Sequence, residues 1–203
     1  MKIAIIGATG NVGSRLVNEA LNRHHAVSAI ARDPSKLPAR TGMSATTGDV
    51  TNPDALLPLL KGHDAIISAL RFQGTDPRQL IDLVRRSGVK RYLVVGGAAS
   101  LEIAPGQILL NSPHFPPAYK AEASAGKAFL DALRNVTDLD WTFLSPSAFF
   151  GPGERTGKFR LSDNTLLTAA DGKSAISYED YALAMFDEIE KPRHIRGRFT
   201  VGY

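Results

Sequence analysis

The chain has 203 residues, with 24 Lys and Arg against 20 Asp and Glu, 18 Gly, 12 Pro and no Cys. That length suits one domain with at most a small appendage, since domains run roughly 100–200 residues. The missing Cys excludes disulfides, thiolate zinc sites, iron–sulfur clusters and thiol nucleophiles, and it fits a reducing cytoplasm.

No stretch approaches the ~20 apolar residues of a membrane span, and the opening MKIAIIGATG lacks the apolar core and cleavage site of a signal peptide. The reading is therefore cytoplasmic, with no membrane partner. The formal charge of +4 is spread along the chain. No basic tract is interleaved with aromatics, so the charge argues against nucleic acid and mildly favours an anionic small ligand. The five His residues have no carboxylate at ligand spacing, which predicts no metal site and mostly solvated imidazoles.

In chain order, Ile3–Ile6 is a continuous apolar run, the pattern of a strand buried on both faces. From Gly10 the period changes to helical, with Leu16 and Ala20, then Val17 and Leu21, on one stripe. Strands are predicted at Ala26–Ala31 and Ser44–Thr47. Asn52 caps a short helix with Pro53 at its first position, and Pro58 inside it predicts a kink or an early stop. Asp64–Ala69 reads as the fourth strand. Asp76 and Pro77 open a helix that Gly88 ends, and Tyr92–Val95 is the fifth strand.

Gly96 to Pro117 reads as a long loop, followed by a helix over Tyr119–Arg134 and a strand over Leu139–Leu144. From Pro146 to Ser177 (146–177) the chain reads as a loop-rich, substrate-side segment within a single domain spanning 1–203. Ser177 caps a last helix, Tyr178–Glu190, and Arg198–Val201 is a final short strand. Strands alternating with helices predict an α/β doubly wound parallel sheet, the NAD(P)-binding Rossmann arrangement, with a small C-terminal extension on the substrate side.

The sharpest motif is Gly7-Ala8-Thr9-Gly10-Asn11-Val12-Gly13, placed between the first strand and the first helix. Gly7 permits the tight turn, Gly10 clears space for a pyrophosphate, and Gly13 lets the helix pack on the strand. Thr9, Asn11 and Val12 then offer backbone N–H groups at the positive end of the helix dipole. The bland alternative is an ordinary Gly-rich turn, and the strand-before, helix-after context weighs against it.

The base preference is read at the next strand's tip. NAD binders carry an acidic residue there, about 20 residues on. Here Arg32 stands at the tip with Lys36 nearby, a pairing that suits a 2′-phosphate and favours NADP(H) over NAD(H). Asp33 either opposes that reading or caps the turn at Pro34. Asp49 and Val50 end the third strand, where the carboxylate either meets the adenine amino group or caps a loop. Ser68, Ala69 and Leu70 end the fourth strand with side chains small enough for a cofactor to cross the sheet edge.

These segments, with Val94-Val95-Gly96-Gly97-Ala98-Ala99-Ser100-Leu101, Asp140-Trp141-Thr142-Phe143-Leu144-Ser145-Pro146 and Ser177-Tyr178-Glu179-Asp180-Tyr181-Ala182, resemble the atypical short-chain dehydrogenase/reductases. The nearest group is the NmrA-like NAD(P)H-binding proteins classed with NADH-flavin reductases, and the resemblance covers essentially the whole chain. It implies a nicotinamide near Gly96, Gly97 and Pro146, hydride transfer to a small-molecule electron acceptor, and a monomer or homodimer. It also implies Ser100 and Tyr119 as the family's catalytic pair.

The family's Lys, one helical turn after Tyr, is replaced here by Ala123, while Lys120 sits about 100° round the helix. Tyr119 and Lys120 remain candidates for proton donor and ribose anchor. The incomplete relay favours a flavin- or quinone-like acceptor over a carbonyl substrate, because such acceptors can take a proton from water. A non-catalytic sensor of NADP(H) is the second reading, and a sugar-nucleotide epimerase or dehydratase the third.

Phe149 and Phe150 are read as a wall over the nicotinamide or as core, and Phe115 as a stacking element. The stretch Gly151–Gly157 is either a mobile surface loop or a second Gly-rich ligand loop, with Arg155 available for a substrate anion. Lys191 to Arg198 reads as a solvated basic face.

Overall fold

A computed structural model describes all residues, Met1–Tyr203. The first half alternates β1 (Lys2–Ile6), α1 (Asn11–Asn22), β2 (Ala26–Ala31), β3 (Met43–Thr47), α2 (Pro53–Leu60), β4 (Ala65–Ser68), α3 (Pro77–Ser87) and β5 (Arg91–Val95). The second half contains a hairpin, β6 (Glu102–Ala104) and β7 (Gln107–Ile108), then α4 (Lys120–Arg134), β8 (Asp140–Ser145), β9 (Phe149–Gly151), β10 (Arg160–Ser162), β11 (Ala175–Ser177), α5 (Tyr178–Glu190) and β12 (Gly197–Gly202).

The central sheet has the order β10-β12-β8-β5-β4-β1-β2-β3. Every pairing is parallel except that of the edge strand β10 with β12. The order reverses between β1 and β4, the place where ligands bind in doubly wound sheets, beyond the strands' carboxyl ends. The expected doubly wound α/β fold is therefore what the chain adopts.

The unbroken apolar run of β1 follows from its central position. Ile3 and Ile5 enter the core that α1 and α5 cover, with Val17, Phe186 and Phe199. Ala4 and Ile6 enter the opposite core under α2, α3 and α4, with Leu83, Phe129 and Trp141. Both faces are sealed, so no polar alternation survives.

The caps follow the local chemistry. Asn52 accepts from the Ala55 N–H at 3.3 Å and Asp76 from the Arg78 N–H at 2.8 Å. Gly88 closes α3 with a φ of 80°, a left-handed conformation that a side chain would strain. α2 ends at Leu60, two residues past Pro58, so the early stop occurs as expected.

The structure corrects several expectations. The Gly96–Pro117 segment is not plain loop, because β6 and β7 form a hairpin within it. That hairpin is tied to residues 164–166 by Glu102 N–H to Asn164 O and Leu166 N–H to Glu102 O. The segment after Pro146 contains β9, β10 and β11, and β9 pairs with β11. α4 begins at Lys120, and Tyr119 ends a short 3₁₀ turn before it.

His25, His63 and His194 are not solvated. His25 is buried and meets Glu190 at 2.9 Å, His63 bonds Ser28 at 2.8 Å, and His194 meets Glu188 at 2.8 Å while stacking on Phe199. The first two are long-range pairings that sequence spacing does not reveal, and the third forms across the turn that follows α5.

Candidate cofactor-binding site

The turn after β1 is built by its glycines. Gly7 has a φ of 84°, and a Cβ there would stand 2.2 Å from the Ala69 carbonyl oxygen. A Cβ on Gly13 would stand 2.1 Å from the Gly7 carbonyl oxygen, so α1 can lie this close to the strand end only with glycine there. Gly10 differs: its nearest atom to an added Cβ is the Gly7 oxygen at 3.2 Å, and the residue is exposed. Its missing side chain leaves open the space in front of the helix.

Within the turn, Gly7 and Ala8 donate to Ile30 O, Gly10 donates to Gly7 O, and Ser14 donates to Gly10 O. The N–H groups of Thr9, Asn11, Val12 and Gly13 have no protein acceptor. Orphan amides at a helix N-terminus, backed by the helix dipole, form an anion cradle. The donor set fits a pyrophosphate: N–H groups only, no carboxylate hydrogen-bonded to them, and no side chain on Gly10.

Arg32 is exposed just past β2 and makes no hydrogen bond or ion pair. Asp33 is committed elsewhere: it accepts from the Ser35 hydroxyl at 2.5 Å and the Ser35 N–H at 3.2 Å, which hold its carboxyl below the usual carboxylate range. It caps the Pro34–Lys36 turn, and Lys36 reaches it only at 4.0 Å. Asp49 accepts from the Thr51 N–H at 2.9 Å, which lowers its pKa, with Arg32 adding a smaller electrostatic contribution. Val50 is half-buried beside it.

Along the carboxyl edge, Ser68 turns inward and bonds the Tyr92 hydroxyl at 2.9 Å, so its side chain is core. Ala69 and Leu70 stay half-exposed. Gly96 is buried and its missing Cβ makes room for Phe143, whereas Gly97 is half-exposed beside the Phe72 ring. Pro146 is buried.

Ser100 and Tyr119 form no hydrogen bond with each other. The Ser100 hydroxyl lies 3.4 Å from the Arg198 guanidinium. Tyr119 is 66% exposed and its hydroxyl has no partner, and Lys120 is exposed and unpaired. No Ser–Tyr–Lys relay is assembled.

Phe150 is half-buried, packing edge-on to Tyr178 at 4.7 Å and against Tyr181 of the core at 4.6 Å, while Phe149 is 68% exposed. Phe115 is half-buried in the loop ahead of α4.

Gly151–Gly157 is tied to the body of the fold by hydrogen bonds and is not a free ligand loop. Arg155 donates to Glu19 at 3.1 Å, Gly153 N–H donates to Glu179, Thr156 and Gly157 donate to Asp180, and Ser177 donates to Glu154 O. Arg155 is therefore a structural partner of a buried carboxylate. Burial opposes charge on Glu19, but hydrogen bonds from Arg155 and Arg23 overcome it and keep its pKa below the ordinary value.

Sequence reading missed further residues that shape the site. Glu122, in the first turn of α4, accepts from the N–H groups of Phe72 and Gln73 at 2.7 and 2.9 Å and fixes the turn after β4. The Tyr181 hydroxyl donates to Leu144 O at 2.6 Å and accepts from Gly96 N–H at 3.3 Å, joining the ends of β5 and β8. Burial pushes that phenol far above its ordinary range. A capping-type Glu after Pro117 and a Tyr inside an apolar helix stripe were visible signals, but neither names its distant partner.

Sheet order, glycine turn and orphan amides together define a dinucleotide-binding fold. The chain belongs to the NAD(P)H-binding family, whose model matches residues 7–192. It is 38% identical to YwnB of Bacillus subtilis, over 99% of this chain and 98% of that one. A solved Bacteroides thetaiotaomicron structure, named a putative epimerase, superposes with a TM-score of 0.95 at 42% identity, over 100% of this chain and 96% of the other. A Streptococcus pneumoniae structure, named a putative NADH-flavin reductase, gives 0.85 at 37% identity, over 100% and 99%.

Proposed function

We propose that the chain is an NADPH-preferring reductase that delivers hydride to a flavin- or quinone-like small molecule. The observation that carries the reading is the cradle of unpaired N–H groups at Thr9, Asn11, Val12 and Gly13 in front of an open Gly10. In this reading those amides hold the pyrophosphate, and Arg32, free of any protein partner, holds the 2′-phosphate. Asp49 and Val50 flank the adenine, and Ala69, Leu70, Gly97 and Pro146 line the path toward the reacting end. Residues 1–203 act as one NAD(P)-binding domain with 146–177 on the acceptor side.

The reduced nicotinamide supplies the hydride. What the chain contributes is binding and alignment. Tyr119 lacks a base beside it, so a proton would reach the acceptor from solvent or from the exposed Tyr119 hydroxyl, and Lys120 would anchor the ribose. That arrangement fits an acceptor needing no positioned acid better than a carbonyl substrate. The pneumococcal relative's name points the same way. A Veillonella parvula protein of the same fold, 17% identical, was crystallised with NADP.

The experiment is steady-state oxidation of NADPH by the full chain on adding FMN or a benzoquinone. Turnover with either acceptor is expected. Tight NADPH binding with no turnover across an acceptor panel would overturn the reductase and leave the nucleotide-sensing reading.

A further inference from the structure

Arg198 is the second residue of β12, yet its guanidinium reaches the far end of the neighbouring strand. Nη1 donates to Ser145 Oγ, at the end of β8, and to Ser100 Oγ, in the turn after β5, each at 3.4 Å. Nη2 donates to Ser100 O at 3.4 Å and to Asn164 Oδ1 at 2.7 Å, and Nε donates to the same Asn164 oxygen at 3.0 Å. Every one of these acceptors is neutral. Two other inward-facing guanidinium groups behave differently, Arg91 meeting Glu188 at 3.0 Å and Arg23 meeting Glu19 at 2.7 Å.

Arg198 has no carboxylate within ion-pair distance. Burial pushes its pKa down to about 10, with Arg134 adding to the shift and Glu102 and Asp163 opposing it from further away.

A cation drawn partly out of water without a counter-ion is costly, and such groups concentrate where a site uses the charge. The acceptors chosen here are informative. Ser145 precedes Pro146, and Ser100 lies three residues after Gly97. The guanidinium thus clips together the two segments that flank the expected nicotinamide end of the site.

We propose that Arg198 is a charge-setting positioning residue: it ties the turn after β5 to the end of β8 and biases the expected nicotinamide end of the site toward the reduced nucleotide. The physical reason is sign. The reduced nicotinamide ring is neutral and the oxidised ring is a cation, so a guanidinium with no ion-pair partner near that end of the site disfavours only the oxidised form. The inference rests on the nucleotide-binding reading above, but not on any particular acceptor or on turnover.

The test is calorimetric titration of the full chain with NADPH and with NADP⁺, in wild type, R198K and R198Q. The quantity read is the ratio of the NADP⁺ to the NADPH dissociation constant. It falls by at least about threefold in R198Q, the order expected when a unit charge leaves a partly desolvated wall, and R198K keeps the wild-type ratio.

A merely structural Arg198 would weaken both nucleotides together and leave the ratio fixed, and that result overturns the proposal. If R198Q fails to fold by circular dichroism, R198M, also uncharged and of similar reach, gives the same reading. A wild-type chain that binds neither nucleotide sinks the nucleotide-binding reading itself and this inference with it. Binding with an unchanged ratio sinks the inference alone.

Discussion

Alanine at Gly10 and alanine at Gly13 separate ligand clearance from packing within one turn. At Gly13 the new methyl would lie 2.1 Å from the Gly7 oxygen and 2.9 Å from the Gly7 carbonyl carbon, both backbone atoms that cannot swing aside. α1 must move off β1, an overpacking cost of about 1–3 kcal/mol. For a chain of this size each kcal/mol lowers Tm by roughly 2–4 °C.

At Gly10 the methyl meets only the Gly7 oxygen at 3.2 Å, and the backbone sits at φ −72° and ψ 169°, which alanine adopts freely. The stability of G10A should therefore stay within about 1 kcal/mol of wild type, mostly lost capping preference. NADPH affinity tells the opposite story: the methyl occupies the mouth of the amide cradle and displaces charge-assisted hydrogen bonds worth about 1.5–3 kcal/mol each. G10A should bind NADPH at least about tenfold more weakly while melting near wild type. Thermal melts and calorimetric titration on the same samples read both numbers. If G10A binds NADPH as wild type does, the turn is not the phosphate site; if G13A melts as wild type does, the packing argument fails.

R32A should raise the Kd for NADPH about tenfold or more and move that for NADH by less than about twofold, because only NADPH offers the 2′-phosphate. Equal losses would reduce Arg32 to a surface charge. F186A empties a fully buried ring position between α5 and the sheet and should cost about 3–5 kcal/mol in urea unfolding; a loss under about 1 kcal/mol would mean that the core collapses readily around it.

E19Q should destabilise the fold by about 1–3 kcal/mol at pH 7, since Arg155 and Arg23 lose their buried carboxylate. The folded pKa of Glu19 is depressed, so its contribution is present above the unfolded value and fades as pH falls through the folded one. The gap between wild type and E19Q should then narrow below about pH 4.3, and a gap that stays constant down to pH 3 contradicts the pairing.

The parts of the fold legible in the sequence were those fixed by local chemistry. The run Ile3–Ile6, the caps Asn52, Asp76 and Ser177, and the terminator Gly88 each act within a few residues, and the structure forms each as expected. The Gly7–Gly13 turn belongs with them in its glycine spacing, although Ile30 and Ala69 on neighbouring strands also hold it. The contacts of Ser100, Arg155, His25 and His194 were not legible for the converse reason. Arg198, Glu19 and Glu190 are reached only after the fold brings distant segments side by side, and Glu188 meets His194 only where the chain turns back after α5. The hairpin in the Gly96–Pro117 stretch was hidden because its strands are short and its stabilising bonds run to residues 164–166.

The clasp on residues 153–157 carries a mechanical implication. Each of these residues bonds to Glu19, Ser177, Glu179 or Asp180, Arg155 twice, and those anchors belong to α1 and to the cap and first turn of α5. A stretch nailed down residue by residue cannot swing like a flap; it travels only if both helices travel with it. Limited proteolysis of the native chain should therefore spare the bonds around Glu154 and Arg155 despite their exposure, and cutting there would report global unfolding rather than local breathing.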